Sequence, residues 1–258
     1  MKPAAVNWIL GTATPVACAV LWWAGSAESA NPFFPPLASI LGRFEDLWLF
    51  DHFGSDVLVS LGNLAVGYVL AVVIGVVLGF LFATVAPVRW MFEPVVHFVR
   101  GIPPVALVPI LITVIGFGAE MRIASIVLAA LFPTLIATMD GIRSVDGVVR
   151  DVCAVYRLGP MERMARVYLP SAGPRIASGM QVSLQIAFIV MIASEMLGSS
   201  QGIGAMTLLA QQSFLAADMW AGILLLGLIG FLTNLVFDIA KSRALAWYIG
   251  SRRQERAS

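Results

Sequence analysis

The sequence predicts an all-α fold, a polytopic membrane bundle of about six transmembrane helices, and three observations carry that reading. First, 59% of the 258 residues are hydrophobic and only 12% are charged, whereas a soluble domain is roughly 45–50% apolar and about a quarter charged. Second, apolar runs recur at spanning length, since a helix needs about 20 such residues to cross the hydrocarbon. Third, lysine and arginine cluster between alternate runs, the bias that orients membrane proteins. The net charge of +1 gives no basis for nucleic-acid binding, and membrane lipid is the expected surrounding. Two cysteines make no disulfide framework. Cys18 falls in the first apolar run and Cys153 in a polar stretch, so the two are not expected to meet.

The first run is 8–23. Lys2 before it and the small residues Gly25-Ser-Ala-Glu-Ser-Ala30 after it have the outline of a cleaved secretory signal. The run is long for a signal core, and Trp22-Trp23 suit an interfacial belt, so it is expected as an uncleaved first span. Residues 31–56, with Pro, Phe, Trp and several acids, read as an external segment with surface helices. The first 56 residues thus form one unit, a helix plus that segment, and 57–258 form the transmembrane domain.

The second span is expected at 57–85, where Gly62, Gly67, Gly75 and Gly79 allow helices to approach closely. A polar link with Arg89 and Arg100 follows, then a third span at 102–117 opening with Pro103-Pro104. After the turn at Gly118-Ala119-Glu120, the fourth span is 123–139. Residues 140–175 are the one long charged segment. A fifth span follows at 176–192. Residues 195–218, with Gly198, Gly202 and Gly204, are too polar for a full span and too apolar for an ordinary loop. They read as partly re-entrant, tolerated where protein or water satisfies the backbone. The sixth span is 219–240, followed by a basic tail.

With the N-terminus inside, six spans leave fourteen basic residues cytoplasmic: Lys2, Arg89, Arg100, Arg143, Arg150, Arg157, Arg163, Arg166, Arg175, Lys241, Arg243, Arg252, Arg253 and Arg256. Only Arg43 and Arg122 then lie outside. The reversed topology breaks the positive-inside rule almost throughout.

The charged segment ends Asp151-Val-Cys-Ala-Val-Tyr-Arg157-Leu-Gly-Pro-Met-Glu-Arg-Met-Ala-Arg-Val167-Tyr-Leu169-Pro170. This resembles the cytoplasmic loop of permease subunits of binding-protein-dependent ATP-binding-cassette importers, whose pattern is Glu-Ala-Ala, three residues, Gly, nine residues, then Ile-x-Leu-Pro. Anchored on Val167-x-Leu169-Pro170, the family's Glu position is Asp151, its two Ala positions are Val152 and Cys153, and its Gly position is Arg157. Asp keeps the charge, whereas Arg removes a residue that adopts left-handed angles cheaply. Gly159-Pro160, two residues on, is expected to share that turn, with Pro160 suited to a first helical position.

Further stretches are similar to the sulfonate, taurine and nitrate importer permeases: Arg100-Gly-Ile-Pro-Pro-Val-Ala-Leu-Val-Pro109, Gly116-Phe-Gly118, Phe132-Pro-Thr134, Asp140-Gly-Ile-Arg-Ser-Val-Asp146, Ser194-Glu-Met196 and Gly202-Ile-Gly204. What the resemblance implies is a type I importer transmembrane domain in the bacterial inner membrane. It implies a homodimer, two ATPase subunits inside and a solute-binding protein outside. ATP and Mg2+ then sit on the ATPase, with no cofactor bound by this chain. A small anion or zwitterion is the implied solute, with a vitamin precursor as the alternative.

A docking loop works mechanically, by seating apolar side chains of a short helix in a groove of its partner. Met161, Met164 and Ala165 have helical spacing for such a face, with Arg163 and Arg166 at its rim. On charge alone the segment is an ordinary positive-inside loop. Its spacing to Val167-x-Leu169-Pro170 favours docking.

Pro103, Pro104 and Pro109 lack backbone donors and kink helices; the first two equally fit a helix start. Glu195 is a lone acid at the end of an apolar run, so it needs a partner, a cavity or the outer interface. Asn63, Gln181, Gln185 and Asn234 lie within spans, where they line a polar path or hydrogen-bond between helices.

No Gly-x-x-x-x-Gly-Lys-Ser/Thr loop occurs, so any ATP must be hydrolysed by another chain. Two histidines, His52 and His97, offer no base or ligand set deep in the bilayer for a membrane protease. Two other classes stay open: a secondary transporter, for which there is no convincing repeat, and a structural membrane subunit.

Overall fold

Every described element is helical, as hydrocarbon demands, because without water each backbone polar group must be satisfied inside its own segment. The computed structural model describes residues 3–29 and 31–248. Lys2 and the tail residues Arg252, Arg253 and Arg256 lie outside them. The order is α1 (Pro3–Ser26), α2 (Leu37–Phe44), α3 (Leu58–Thr84), α4 (Ala86–Arg100), α5 (Val108–Ile115), α6 (Ala119–Arg143), α7 (Gly147–Val155), α8 (Pro160–Arg163), α9 (Leu169–Gly198), α10 (Ile203–Gln212) and α11 (Ala216–Ala244).

Among the described residues, four helical stretches are long and apolar enough to cross a membrane: Phe53–Thr84, Ala119–Arg143, Pro160–Gly198 and Ala216–Ala244. Ala86–Arg100 and Pro104–Ile115 make a fifth if a pair bent by 94° counts as one span. The count is therefore four or five, against about six expected. The expected first span falls in α1, a 24-residue helix outside that set.

The expected third span departs most. A straight helix cannot run through Gly101 and Pro103-Pro104, because Pro103 holds an extended backbone (ψ 122°) and both prolines lack a donor. A 3-10 turn, Pro104–Leu107, leads into α5. Pro109 lies in the first turn of α5, where a missing N–H costs nothing. It starts a helix and does not kink one.

The core is α3, α6 and α9, joined by small residues. A Cβ built on Gly79 would lie 2.5 Å from the Leu135 carbonyl oxygen, and one on Gly179 would lie 2.2 Å from the Ala137 Cβ. Side-chain volume at either position would push the helices apart. Such closeness replaces the hydrophobic drive that lipid removes. Gly62 has no such neighbour and takes no part. Two hydroxyls tie α6 to α9: Ser183 Oγ lies 2.7 Å from Thr134 Oγ1 and donates to the Ala130 carbonyl at 2.6 Å. Tyr68 on α3 donates to the Met180 carbonyl of α9 at 3.0 Å.

Residues 37–57 are more than a surface segment. Leu37, Ile40, Trp48 and Val57 share a buried cluster with Ile203 of α10 and Ala221, Leu225 and Ile229 of α11. Arg43 donates to Asp218 at 2.9 Å. That hydrogen bond pushes the Arg43 guanidinium above its ordinary pKa despite partial burial. The pair marks one end of the bundle, together with the starts of α3, α6 and α11. The charged segment 140–175 lies at the other end.

Candidate coupling and translocation site

The charged segment is ordered from its first residue. Asp146 caps α7, its carboxylate accepting the Val148 N–H at 2.9 Å. The helix buries Cys153 but exposes Val148, Val152, Val155 and Tyr156. These recur at i, i+4, i+7 and i+8, one face of a helix, and Val155 is 78% exposed. A contiguous exposed apolar stripe of this kind is a candidate interaction surface.

The helix closes with Arg157 just past its C-cap Tyr156, at φ +51°. The Leu158 N–H reaches the Cys153 carbonyl at 3.1 Å and the Arg157 N–H reaches that of Ala154 at 3.0 Å. This is the two-bond Schellman closure, which places a left-handed residue just past the helix. Arg157 therefore makes the turn itself. Gly159, expected to share it, is extended (φ −65°, ψ 159°) and precedes Pro160 at the first position of α8.

From Met164 to Tyr168 the helix widens into a π-helical turn before α9 begins at Leu169 with Pro170 in its first turn. Tyr168 and Leu169 pack on Ile142, Ala172 and Ile176. The end of the motif therefore anchors α7 and α8 to the bundle.

At the opposite end, α10 starts in a polar cluster. Its first donors are taken by three other segments: Gly202 N–H by Asp56 (2.6 Å), Ile203 N–H by Ser60 of α3 (3.0 Å) and Gly204 N–H by Glu195 of α9 (3.0 Å). His52 lies 2.9 Å from Asp56. Arg122, buried on α6, donates to Ser199 Oγ at 3.0 Å and to the Gln201 carbonyl at 3.2 Å. Two carboxylates at a helix N-terminus match its partial positive charge.

A cavity of about 700 Å³ lies between the bent α4–α5 pair and helices α6 and α9. Its wall includes Ile102, Leu107, Phe132, Ile136 and Val182, and Arg100, Asp140 and Arg175 line it as well. An apolar hollow with a few charged groups is the usual form of a small-solute site.

Residues 71–244 match the family described as binding-protein-dependent transport system inner membrane component. The chain belongs to that family. This permease is 28% identical over 243 residues to SsuC of Bacillus subtilis (strain 168), named as an aliphatic sulfonates transport permease protein, covering 93% of this chain and 88% of that one. It is 27% identical to the taurine transport system permease protein TauC of Escherichia coli (strain K12), over 88% of this chain and 86% of that one. It is 26% identical to the nitrate import permease protein NrtB of Synechocystis sp. (strain ATCC 27184 / PCC 6803 / Kazusa), with the same coverage. The inward-facing MetNI methionine ABC transporter has a chain of the same fold, with TM-score 0.62 and 19% identity over 74% of this chain and 94% of that one. The fold is thus that of a type I importer transmembrane domain, in a multi-pass inner-membrane permease.

Within the permease, the residues expected to couple to an ATPase stay together. Asp151, Arg157, Gly159, Pro160 and Met161 are exposed on α7, the turn and the start of α8, while Met164, Val167 and Leu169 are half-buried and Pro170 is exposed. The expected face of Met161, Met164 and Ala165 is divided, since Met164 turns inward. The apolar face lies instead on α7, at Val148, Val152, Val155 and Tyr156. Its 3.6-residue period is present in the sequence, beside the charges of the same segment.

The expected path residues are scattered, and none of them lines the cavity. Asn63 is buried on α3, Pro109 is exposed on α5, Gln185 is exposed on α9, and Glu195 belongs to the capping cluster. Gln181 donates to Asn234 and Asp238 of α11 at 3.2 Å and accepts from Lys241 at 2.6 Å. These bonds hold α9 to α11.

Proposed function

We propose that this permease works as a homodimer driven by two ATPase subunits at its basic end and served by a solute-binding protein at the other. It imports a small anionic or zwitterionic solute of the sulfonate, taurine or nitrate class. The observation that carries the coupling is the bare apolar stripe of α7. Each of its large apolar side chains gains about 1.5–3 kcal/mol when a partner covers it fully. Tyr168 and Leu169 then pass the push to α6 and α9, whose rotation opens the path. The substrate class is supported by the names of the relatives and by Arg100 and Arg175 on the apolar cavity, because guanidinium groups suit oxyanions.

In this reading both termini are cytoplasmic, 57–258 is the working transmembrane domain, and residues 1–56 supply a first helix and an external brace. The permease itself is not a catalyst. ATP and Mg2+ are handled by the partner, in keeping with the lack of a nucleotide-cradling loop in this sequence.

Val152→Asp and Val155→Asp test the coupling. Each should weaken association with the ATPase by at least ~10-fold, the equivalent of ~1.4 kcal/mol, and stop ATP-driven uptake in proteoliposomes while membrane insertion is unchanged. Wild-type uptake by both variants, or uptake by the purified permease with no ATPase present, would defeat the proposal.

A further inference from the structure

We infer that the permease carries a phosphate-binding site at its basic end, built for the headgroup of an anionic phospholipid. The site is a second cavity, of about 720 Å³, distinct from the one between α5 and α9. Arg89 of α4, Arg143 of α6, Arg150 of α7 and Arg163 of α8 all line it. Four arginines from four separate helices line one hollow.

Their charge is not balanced from within. Glu93 is the carboxylate paired with them among the described residues, and it lies 3.9 Å from Arg89 and 4.0 Å from Arg143, beyond hydrogen-bond distance. Like charges gathered in a partly enclosed space repel unless an anion joins them. Asp146 caps α7 instead, and Glu162 pairs outward with Arg166 at 3.0 Å. The arginines are nevertheless held in place. Arg150 donates to the Arg143 carbonyl at 2.6 Å, and Arg163 donates through Nε to the Leu158 carbonyl at 2.8 Å. A guanidinium has five N–H donors, so each keeps others for a ligand.

Phosphate is the group that planar guanidinium forks bind best, two bonds at a time. The rest of the lining indicates which phosphate. Phe80, Ala83 and Ile142, from the ends of two spanning helices, form an apolar side, suited to the first methylenes of an acyl chain. Basic pockets between helices at the cytoplasmic surface are where anionic headgroups lodge. Such a ligand would tie α7 and α8, which bear the docking stripe, to α4 and α6, and so stiffen the lever. Phosphate binding by these arginines is independent of the coupling proposed above.

The test uses the full chain in nanodiscs of phosphatidylcholine alone, with added cardiolipin, or with inorganic phosphate in the buffer. Cardiolipin should raise the unfolding midpoint by on the order of 5 °C and remain bound in native mass spectra. Equal stabilisation by inorganic phosphate would keep the phosphate site but assign it to a soluble ligand. Arg89→Gln and Arg143→Gln should each lose most of the shift, whereas Arg166→Gln, outside the cavity, should keep it. If a Gln variant does not fold, Arg89→Lys serves instead, retaining the charge but not the fork, and should show a reduced shift.

The inference fails if no phosphate-bearing additive moves the midpoint. It fails equally if Arg166→Gln loses as much as the cavity variants, which would mean only a diffuse basic surface. Loss of ATPase association in the cavity variants with an unchanged lipid shift would assign the arginines to an acidic protein partner, and would also overturn it.

Discussion

Arg157 and Phe214 occupy the same unusual place. Both have positive φ, +51° and +58°, and each ends a helix by the same pair of hydrogen bonds. For Phe214 these run from its own N–H to Gln211 and from the Leu215 N–H to Ala210, at 3.1 and 2.9 Å. A side chain there costs roughly 1–2 kcal/mol against glycine. Arg157→Gly should therefore raise stability by about 1 kcal/mol, read as an increase in the unfolding midpoint, with α7 docking retained. Gly159→Ala should be neutral, because its backbone is extended and a Cβ there meets no neighbour. Gly202 is the opposite case. It has φ +112°, and an added Cβ would lie 2.5 Å from the Glu195 carboxyl carbon. Gly202→Ala should cost more than the backbone strain alone, about 2 kcal/mol or above, and reduce the amount of folded protein in the membrane.

Among the elements, the three-helix core depends on small residues, so bulk matters more there than polarity. Gly179→Leu should separate α9 from α6 and cost ~3 kcal/mol or more, beyond ordinary overpacking, because an added Cβ would lie 2.2 Å from the Ala137 Cβ. The check is protease resistance and yield after detergent extraction, with Gly62→Leu as the matched control that should behave as wild type. The long helices were legible from sequence because apolar runs between 57 and 244 have no other stable form in lipid. The bent α4–α5 pair was not. Its signals, Gly101 and Pro103-Pro104, state that a straight helix stops, but the 94° turn is set by what α6 and α9 leave room for. The apolar stripe of α7 was visible as a period, yet which residues stay bare depends on Cys153 packing inward.

For the whole molecule, the distribution of charge gives a directional prediction. Single cysteines introduced at Tyr156 and at Phe214, both more than 70% exposed, on a background with Cys18 and Cys153 replaced, should react with an impermeant maleimide from opposite faces. Tyr156→Cys should label only after the inner face is opened, and Phe214→Cys in intact cells. Labelling of both from one side would refute the orientation.

Sequence alone determined the class of molecule, its family and the place of the one long charged segment. Composition, basic clusters and the spacing to Val167-x-Leu169-Pro170 are one-dimensional properties, and the bilayer turns apolar runs directly into spans. Tertiary structure decided which residues work together. Glu195 caps α10, Gln181 ties α9 to α11, and four arginines spread over 75 positions meet in one cavity, since such partnerships arise only when distant helices pack and no local period records them.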